Sequence, residues 1–394
     1  MTYHDDTKSD RFTLGATSRR NLLAGGTALA AGGLLSVAGL PGLGARPARA
    51  QDGTPAPGGT PEPLPSAVPI DPQMQEVLDE LAALTAIPIE SQNPFNARQL
   101  PLPADAVVSL LSKRGEPAQE LVGGVTHELV STPNGDLVTR VYTPEGEGPF
   151  PILVYFHGGG WVIANLNTYD SSCRALCNAA QAVVVSVAYR QAPENPFPAA
   201  ADDAYFAFQA IAQTAPLFGG DADRVAVAGE SAGGNLATVT SMIARDQGGI
   251  MPVHQLLVYP VTTFLPEGEA AESIVEHATA QPLGRPLLEW FGEFYIPSEA
   301  DRQNPYASPL LADDLSGLPP ATVILAEIDP LRSQGELYAA ALEAAGVDVE
   351  LTTYQGVTHE FFGMGAVVDI ANDAVMQAAG RLQAAFSDTG TPTP

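Results

Sequence analysis

The chain has 394 residues, 45% of them hydrophobic, and can bury a large core as one big domain or two small ones. Its formal net charge is −27, from 45 acidic and 18 basic residues. A surface this acidic argues against nucleic acid and anionic membranes as partners. With only two cysteines, the chain is not a disulfide-rich fold.

Residues 1–50 are predicted to be a targeting segment outside the fold. Paired arginines at 19–20 precede an apolar, Gly/Ala-rich run over 22–40, and Ala48-Arg49-Ala50 forms a small-x-small cleavage site. The pattern resembles a bacterial twin-arginine signal peptide cleaved before Gln51, which implies export to the periplasm or the extracellular space. A membrane anchor is the alternative, although so short and glycine-rich a run makes a poor spanning helix.

Two further segments precede the main alternating region. Residues 51–70 are rich in Pro, Gly and Thr and are predicted to form a disordered linker. Apolar residues then recur at helical spacing after Asp71-Pro72, a plausible N-cap and first-turn pair, and again over 104–111. We expect residues 71–120 to form N-terminal cap helices.

Residues 121–390 alternate strand and helix and are predicted to form one α/β domain. Two runs that alternate apolar and polar residues are joined by Pro133-Asn134-Gly135-Asp136, which predicts a β-hairpin. Apolar, β-branched runs typical of doubly buried strands follow at 151–156, 182–188, 225–228, 255–259, 322–326 and 349–354. Helical patterns lie near 170–181, 199–213, 233–245, 334–345 and 366–386. This alternation predicts an α/β fold with a mostly parallel, doubly wound sheet.

One connection is longer than the others. About sixty residues, rich in Pro and aromatics, separate Tyr259 from Thr322, too many for an ordinary crossover. We expect a cap insertion over about 262–318 that packs with the N-terminal helices. Its aromatic residues either belong to the core or shape the substrate pocket.

A candidate nucleophile follows the strand at 225–228. Gly229-Glu230-Ser231-Ala232-Gly233 passes directly into a helical pattern, the strand–turn–helix context of a nucleophilic serine. The turn is too sharp for side chains at the two glycines, and it lifts the hydroxyl clear of the sheet. In a chain with 38 glycines the pentapeptide alone is a weak signal.

An activated serine needs a base, usually His, oriented by a carboxylate, in the chain order Ser, Asp or Glu, His. Of six histidines only His359 follows a late acidic candidate. The favoured acid is Asp329, because Pro330 directly after it takes the chain out of the sheet. Glu327, two residues earlier, is the alternative.

The tetrahedral intermediate of acyl transfer also needs preorganised N–H donors. Gly158-Gly159-Gly160 follows the strand at 151–156, and these amides, with that of Ala232, are the predicted donors. The loop lacks the Lys of a phosphate-binding loop and the spaced glycines of a dinucleotide site. Trp161, after this loop, and Glu230, before the nucleophile, are predicted to contact the substrate.

Together these motifs resemble the hormone-sensitive lipase branch of the α/β-hydrolases, from about Leu121 to the C-terminus. The resemblance rests on His157-Gly158-Gly159-Gly160, Gly229-Glu230-Ser231-Ala232-Gly233-Gly234, the segment Tyr189–Ala199, Asp329-Pro330-Leu331-Arg332 and Gly356-Val357-Thr358-His359. It implies a carboxylesterase with Ser231, Asp329 and His359 as triad, a helical cap and no cofactor.

Two residues depart from the family pattern. Ser333 stands where a second Asp is usual, and Glu360 follows the histidine where Gly is usual. We expect the first to affect loop capping more than chemistry. The second places a carboxylate beside the base, where it either raises the pKa of His359 or narrows the mouth of the acyl site.

The sequence is interpreted as an exported serine esterase that cleaves short- to medium-chain carboxylic esters through an acyl-enzyme. The expected partner is a small-molecule ester, and a homodimer is left open. Alternatives are a non-catalytic ligand-binding member of the fold, or a hydrolase of another acyl bond such as an amide or lactone. Cys173 and Cys177, four apart on a predicted helix, are either buried free thiols or a strained disulfide.

Overall fold

An eight-stranded sheet forms the centre of the protein, in a computed structural model that describes residues 69–387. The strand order is β1-β2-β4-β3-β5-β6-β7-β8. The first two neighbouring pairs are antiparallel, because β2 runs opposite to β1 and β4, and the other five pairs are parallel. The strands are β1 Gly124–Thr132, β2 Gly135–Thr143, β3 Phe150–Phe156, β4 Val183–Val187, β5 Gly220–Glu230, β6 Gln255–Val258, β7 Ala321–Ile328 and β8 Val349–Thr358.

Burial follows the position of each strand in the sheet. All five residues of β4 are buried, as are the six residues from 151 to 156 in β3, because helices cover both faces of the central strands. The edge strand β1 instead exposes most of its residues. The predicted α/β fold, mostly parallel and doubly wound, is confirmed.

Helices cover the sheet and form the cap. They are α1 Pro72–Leu84, α2 Pro94–Ala97, α3 Pro103–Arg114, α4 Asp170–Ala180, α5 Ala199–Gln213, α6 Ala232–Gln247, α7 Glu272–Glu276, α8 Arg285–Tyr295, α9 Glu299–Arg302, α10 Arg332–Ala344 and α11 Asp369–Ser387. Helix α1 begins where predicted, since the Asp71 side chain accepts hydrogen bonds from the amides of Gln73 and Met74 at 2.8 and 3.2 Å.

The long connection between β6 and β7 contains α7, α8 and α9, which lie beside the N-terminal helices. The indole of Trp290 in α8 donates a hydrogen bond to the Gln92 carbonyl at 3.1 Å. Helix α1 is joined to α3 through Glu80, whose carboxylate accepts hydrogen bonds from Ser109 and Lys113. These contacts place two separate stretches of the chain together over the sheet.

Other sequence predictions concern the ends of the chain and the cysteines. The targeting segment 1–50 and residues 51–68 of the linker lie outside the described residues. Within the described part, no helix is long and apolar enough to cross a membrane. Cys173 and Cys177 of α4 are buried free thiols, which decides between the two alternatives.

Candidate active site

Ser231 lies at the sharp turn between β5 and α6, with φ 57° and ψ −118°. This conformation is strained for a residue with a side chain. The two flanking glycines are required by close backbone approach. A Cβ at Gly233 would lie 1.9 Å from the carbonyl oxygen of Phe156, and one at Gly229 would lie 2.1 Å from that of Gly233. The pentapeptide is therefore a structural turn that presents the serine.

The carboxyl ends of β7 and β8 bring the predicted acid and base to this turn. His359 Nε2 lies 3.0 Å from Ser231 Oγ, and His359 Nδ1 lies 2.7 Å from Asp329 Oδ2. The other Asp329 oxygen accepts the amide of Leu331 at 2.8 Å, which fixes the carboxylate. Glu327, the alternative acid, instead accepts the amide of Gly356 at 2.8 Å.

The electrostatic surroundings of His359 favour its protonated form. The imidazole is only 3% exposed, and burial by itself lowers its pKa. The attraction and hydrogen bond of Asp329 oppose this, followed by the charges of Glu360 and Glu230. Together these carboxylates hold the pKa of His359 above its ordinary value.

The glycine loop approaches the serine from the end of β3. Gly159 and Gly160 line the cavity above Ser231, and within residues 69–387 neither of their amides has a hydrogen-bond acceptor. Gly158 does not line that cavity, and a Cβ there would meet the Tyr169 hydroxyl at 2.2 Å. The amide of Ala232 is the first of helix α6, where N–H groups lack intrahelical acceptors.

A cavity of about 530 Å³ opens over Ser231 and His359. Its wall is mainly apolar and comes largely from the cap insertion, including Phe264, Ile274, Leu288 and Phe291. Trp161 also lines it, as predicted for a substrate-contacting residue, and stacks on the Tyr295 ring with centroids 4.2 Å apart. Aromatic residues of the insertion thus serve both the core and the pocket wall.

A family model described as the alpha/beta hydrolase fold matches residues 153–363. The chain belongs to this family. It is 42% identical over 254 residues to carboxylic ester hydrolase LipN of Mycobacterium tuberculosis, covering 63% of this chain and 67% of the relative. Ethyl acetate hydrolase of Pseudomonas putida is 38% identical over 251 residues, covering 63% and 78%. A solved Pyrobaculum calidifontis esterase superposes with TM-score 0.71 at 38% identity, covering 80% and 99%.

One predicted substrate contact of this hydrolase is wrong. Glu230 is only 1% exposed and does not line the cavity over Ser231. Its carboxylate accepts hydrogen bonds from the hydroxyls of Tyr155, at 2.5 Å, and Tyr259. Burial, followed by the charge of Glu360, raises the pKa of Glu230 to about 7.

The hydrolase departs from its family pattern in two loops at the site. Ser333 exchanges hydrogen bonds with Ser273: its amide donates to the Ser273 hydroxyl at 3.0 Å, and its own hydroxyl accepts the Ser273 amide at 3.1 Å. This pair ties α7 of the insertion to the start of α10. Glu360 is not a lining residue of the 530 Å³ cavity, so it does not narrow the acyl site.

Two side chains that support the site were not predicted from the sequence. Tyr259 directly follows β6, and its ring centroid lies 4.5 Å from that of His359. Its hydroxyl donates a hydrogen bond to Glu230. Tyr169 precedes α4 and donates a hydrogen bond to Glu360. Within residues 69–387 there is no cluster of three or more His, Cys, Asp or Glu side chains that could hold a metal ion.

Proposed function

We propose that this hydrolase is a serine carboxylesterase acting on short- to medium-chain carboxylic esters. The observation that carries the proposal is the hydrogen-bonded series from Ser231 Oγ through His359 to Asp329, at 3.0 and 2.7 Å. Such a series activates a serine for acyl transfer. Relatives named as ester hydrolases favour an ester over an amide or lactone as the acyl bond.

The geometry supports an acyl-enzyme mechanism. His359 Nε2 accepts the proton of Ser231 Oγ as this oxygen attacks the ester carbonyl carbon, and then delivers it to the departing alcohol. A water molecule attacks the acyl-enzyme by the same route in reverse and releases the acid. Asp329 keeps Nδ1 protonated and stabilises the imidazolium that forms in both steps.

The oxyanion is expected to bind at the glycine loop. The amides of Gly159 and Gly160 border the cavity without acceptors inside the described structure, and the Ala232 amide begins helix α6 directly after the nucleophile. Donors that are fixed before reaction stabilise developing negative charge without reorganisation. We assign the oxyanion site to these three amides.

The cavity supports a small, largely apolar substrate. Its volume of about 530 Å³ lies within the ~300–1,000 Å³ range of small-molecule sites. The wall of Phe264, Leu288 and Phe291 favours hydrocarbon over charged acyl groups. Activity is expected to peak at short to medium acyl chains on a C2 to C16 series, and a long-chain optimum would indicate a lipase.

The decisive experiment replaces the nucleophile. Ser231→Ala is expected to lower p-nitrophenyl ester hydrolysis by at least ~10⁴-fold and to abolish fluorophosphonate labelling. The matched control is Ser241→Ala, a serine in the same helix whose hydroxyl bonds only the Ala237 carbonyl. Full activity in Ser231→Ala would disprove the triad, and a wild-type protein that resists the label would indicate a non-catalytic member of the fold.

A further inference from the structure

The residue after the base holds an unusual backbone conformation. Glu360 has φ 72° and ψ 6°, in the left-handed region that favours glycine. A side chain at such a position is strained unless contacts hold it. Here it is held, because the Glu360 carboxylate accepts a hydrogen bond from the Tyr169 hydroxyl at 2.6 Å. The contact joins residues 191 positions apart in the chain.

This contact places a second carboxylate beside the imidazole. Glu360 Oε1 lies 3.9 Å from His359 Nε2, whereas Asp329 Oδ2 lies 2.7 Å from Nδ1. Each ring nitrogen thus has one carboxylate near it, and Nε2 also faces Ser231. The Glu360 side chain is 19% exposed, so solvent screens this interaction only in part.

Glu360 lies beside the base and not at the cavity over Ser231. It is absent from the lining of the 530 Å³ cavity and borders a separate cavity of about 20 Å³, together with Glu230 and Ser172. We propose that Glu360, fixed by Tyr169, is a positioning residue that favours the protonated imidazole of His359 formed during acyl transfer. The inference rests on the proposed esterase function and adds Glu360 to the residues that act in it.

The other groups around the imidazole reinforce the same effect. The charges that act on His359 all belong to carboxylates. Tyr259 from β6 packs against the ring as a neutral phenol, because burial raises its pKa well above the ordinary value. Burial does the same for Tyr169. The titratable groups that face His359 are therefore Asp329 after β7, Glu230 at the end of β5, Tyr259 after β6, Tyr169 before α4, and Glu360.

The consequence is a shift of the pH profile. His359 acts as base only when neutral, so a neighbouring carboxylate moves the acid limb of kcat/KM to higher pH. Glu360→Gln removes the charge and keeps the shape and an acceptor for Tyr169. We expect the acid limb to move down by about one pH unit. On the alkaline plateau kcat should fall by no more than about tenfold, the equivalent of one pKa unit.

Three variants control for structure and for net charge. Glu360→Gly suits the left-handed backbone and should show the same downward shift, so the test survives if the Gln variant folds poorly. Tyr169→Phe should shift the limb in the same direction by a smaller amount, since it frees Glu360 without removing it. Glu299→Gln removes an exposed charge on helix α9 and should leave the profile unchanged.

The outcomes separate this inference from the proposed function. An acid limb that stays at the wild-type pH in both Glu360→Gln and Glu360→Gly, with activity retained, would overturn the role of Glu360 alone. Activity that persists in Ser231→Ala would overturn the esterase mechanism itself. A limb shifted equally by Glu299→Gln would show a general effect of net charge and would also overturn the inference.

Discussion

The carboxyl edge of the sheet and the cap insertion differ in how much room surrounds their backbones. At the edge, a Cβ on Gly233 or Gly229 would lie within 2.1 Å of a backbone oxygen. In the cap, Gly292 of α8 lines the same substrate cavity, and a Cβ there would meet no atom within 4 Å. The turn that carries Ser231 is thus fixed by close backbone contacts, whereas the cavity has open space beside Gly292 of α8.

The largest effect on activity is expected for Asp329, the proposed acid at the carboxyl edge of the sheet. Asp329→Asn leaves a side chain of the same size but cannot hold the required tautomer or stabilise the imidazolium, so kcat should fall about 10⁴-fold. Glu327→Gln is the matched control, two residues earlier on β7. It alters only a hydrogen bond to the Gly356 amide and should cost less than about tenfold. Steady-state kinetics on a p-nitrophenyl ester measures both.

The reverse order of effects would reassign the acid to Glu327. Equal losses in the two variants would show that the whole β7 edge, and not one carboxylate, controls the base. Either result would show that Asp329 is not the single carboxylate that orients His359. Circular dichroism of both proteins separates loss of folding from loss of chemistry.

A second test makes the same small substitution in the two regions. Gly233→Ala forces a methyl group against the Phe156 carbonyl and should destabilise the fold by about 3 kcal/mol or more. Gly292→Ala adds a methyl group to a helix with open space beside it and should stabilise by up to about 1 kcal/mol. Urea unfolding at equilibrium measures both changes.

The cap variant also tests the position of the pocket. Since Gly292 borders the cavity, Gly292→Ala should narrow it and move the preferred acyl chain towards shorter lengths. An unchanged chain-length profile would place the acyl group elsewhere. A Gly233→Ala enzyme as stable as wild type would show that the backbone around Ser231 can move to accommodate a methyl group. The two regions would then not differ in this respect.

The last effect is on stability and not on activity, and it concerns the buried carboxylate of Glu230, directly before Ser231. Glu230 has a pKa of about 7 in the folded protein, above the ~4.3 of an unfolded chain. The folded state therefore binds the proton more tightly, and this stabilising contribution is present at low pH and lost as pH rises through 7. Wild type should lose at most about 4 kcal/mol relative to Glu230→Gln between pH 4 and 8.

The free energy of unfolding of the two proteins, measured by urea titration across this pH range, gives the difference directly. Taking the difference cancels other titrating groups, such as His157, whose pKa burial lowers to about 4. A difference that does not change with pH would mean that Glu230 is ionised throughout. The fold would then accommodate a buried charge at Glu230.

Most of the catalytic arrangement could be predicted because it follows from chain order. In a parallel sheet the loops after successive strands meet at one edge, so Ser231 after β5, Asp329 after β7 and His359 after β8 had to be neighbours. The Gly-x-Ser-x-Gly pattern and Pro330 marked where the chain leaves its strands. These signals are local and need no knowledge of packing.

The side of the turn to which Glu230 points could not be predicted. It depends on the backbone at Ser231, with φ 57°, and on two tyrosine hydroxyls contributed by β3 and β6. Adjacency to the nucleophile therefore suggested a substrate contact that the structure does not contain. The cavity likewise depends on how the insertion packs, which aromatic composition alone does not specify.

The sequence by itself determined the α/β fold and the order of the loops that follow its strands, and it predicted the serine, acid and base of the proposed mechanism. It also predicts export through residues 1–50, which lie outside the described structure. Only the tertiary structure decided that Glu230 bonds two tyrosines away from the cavity and that Tyr169 holds Glu360 beside the imidazole. The physical reason is the distance along the chain over which each feature is determined. Strand ends and tight turns depend on neighbouring residues, whereas the surroundings of a buried carboxylate depend on residues far apart in the chain.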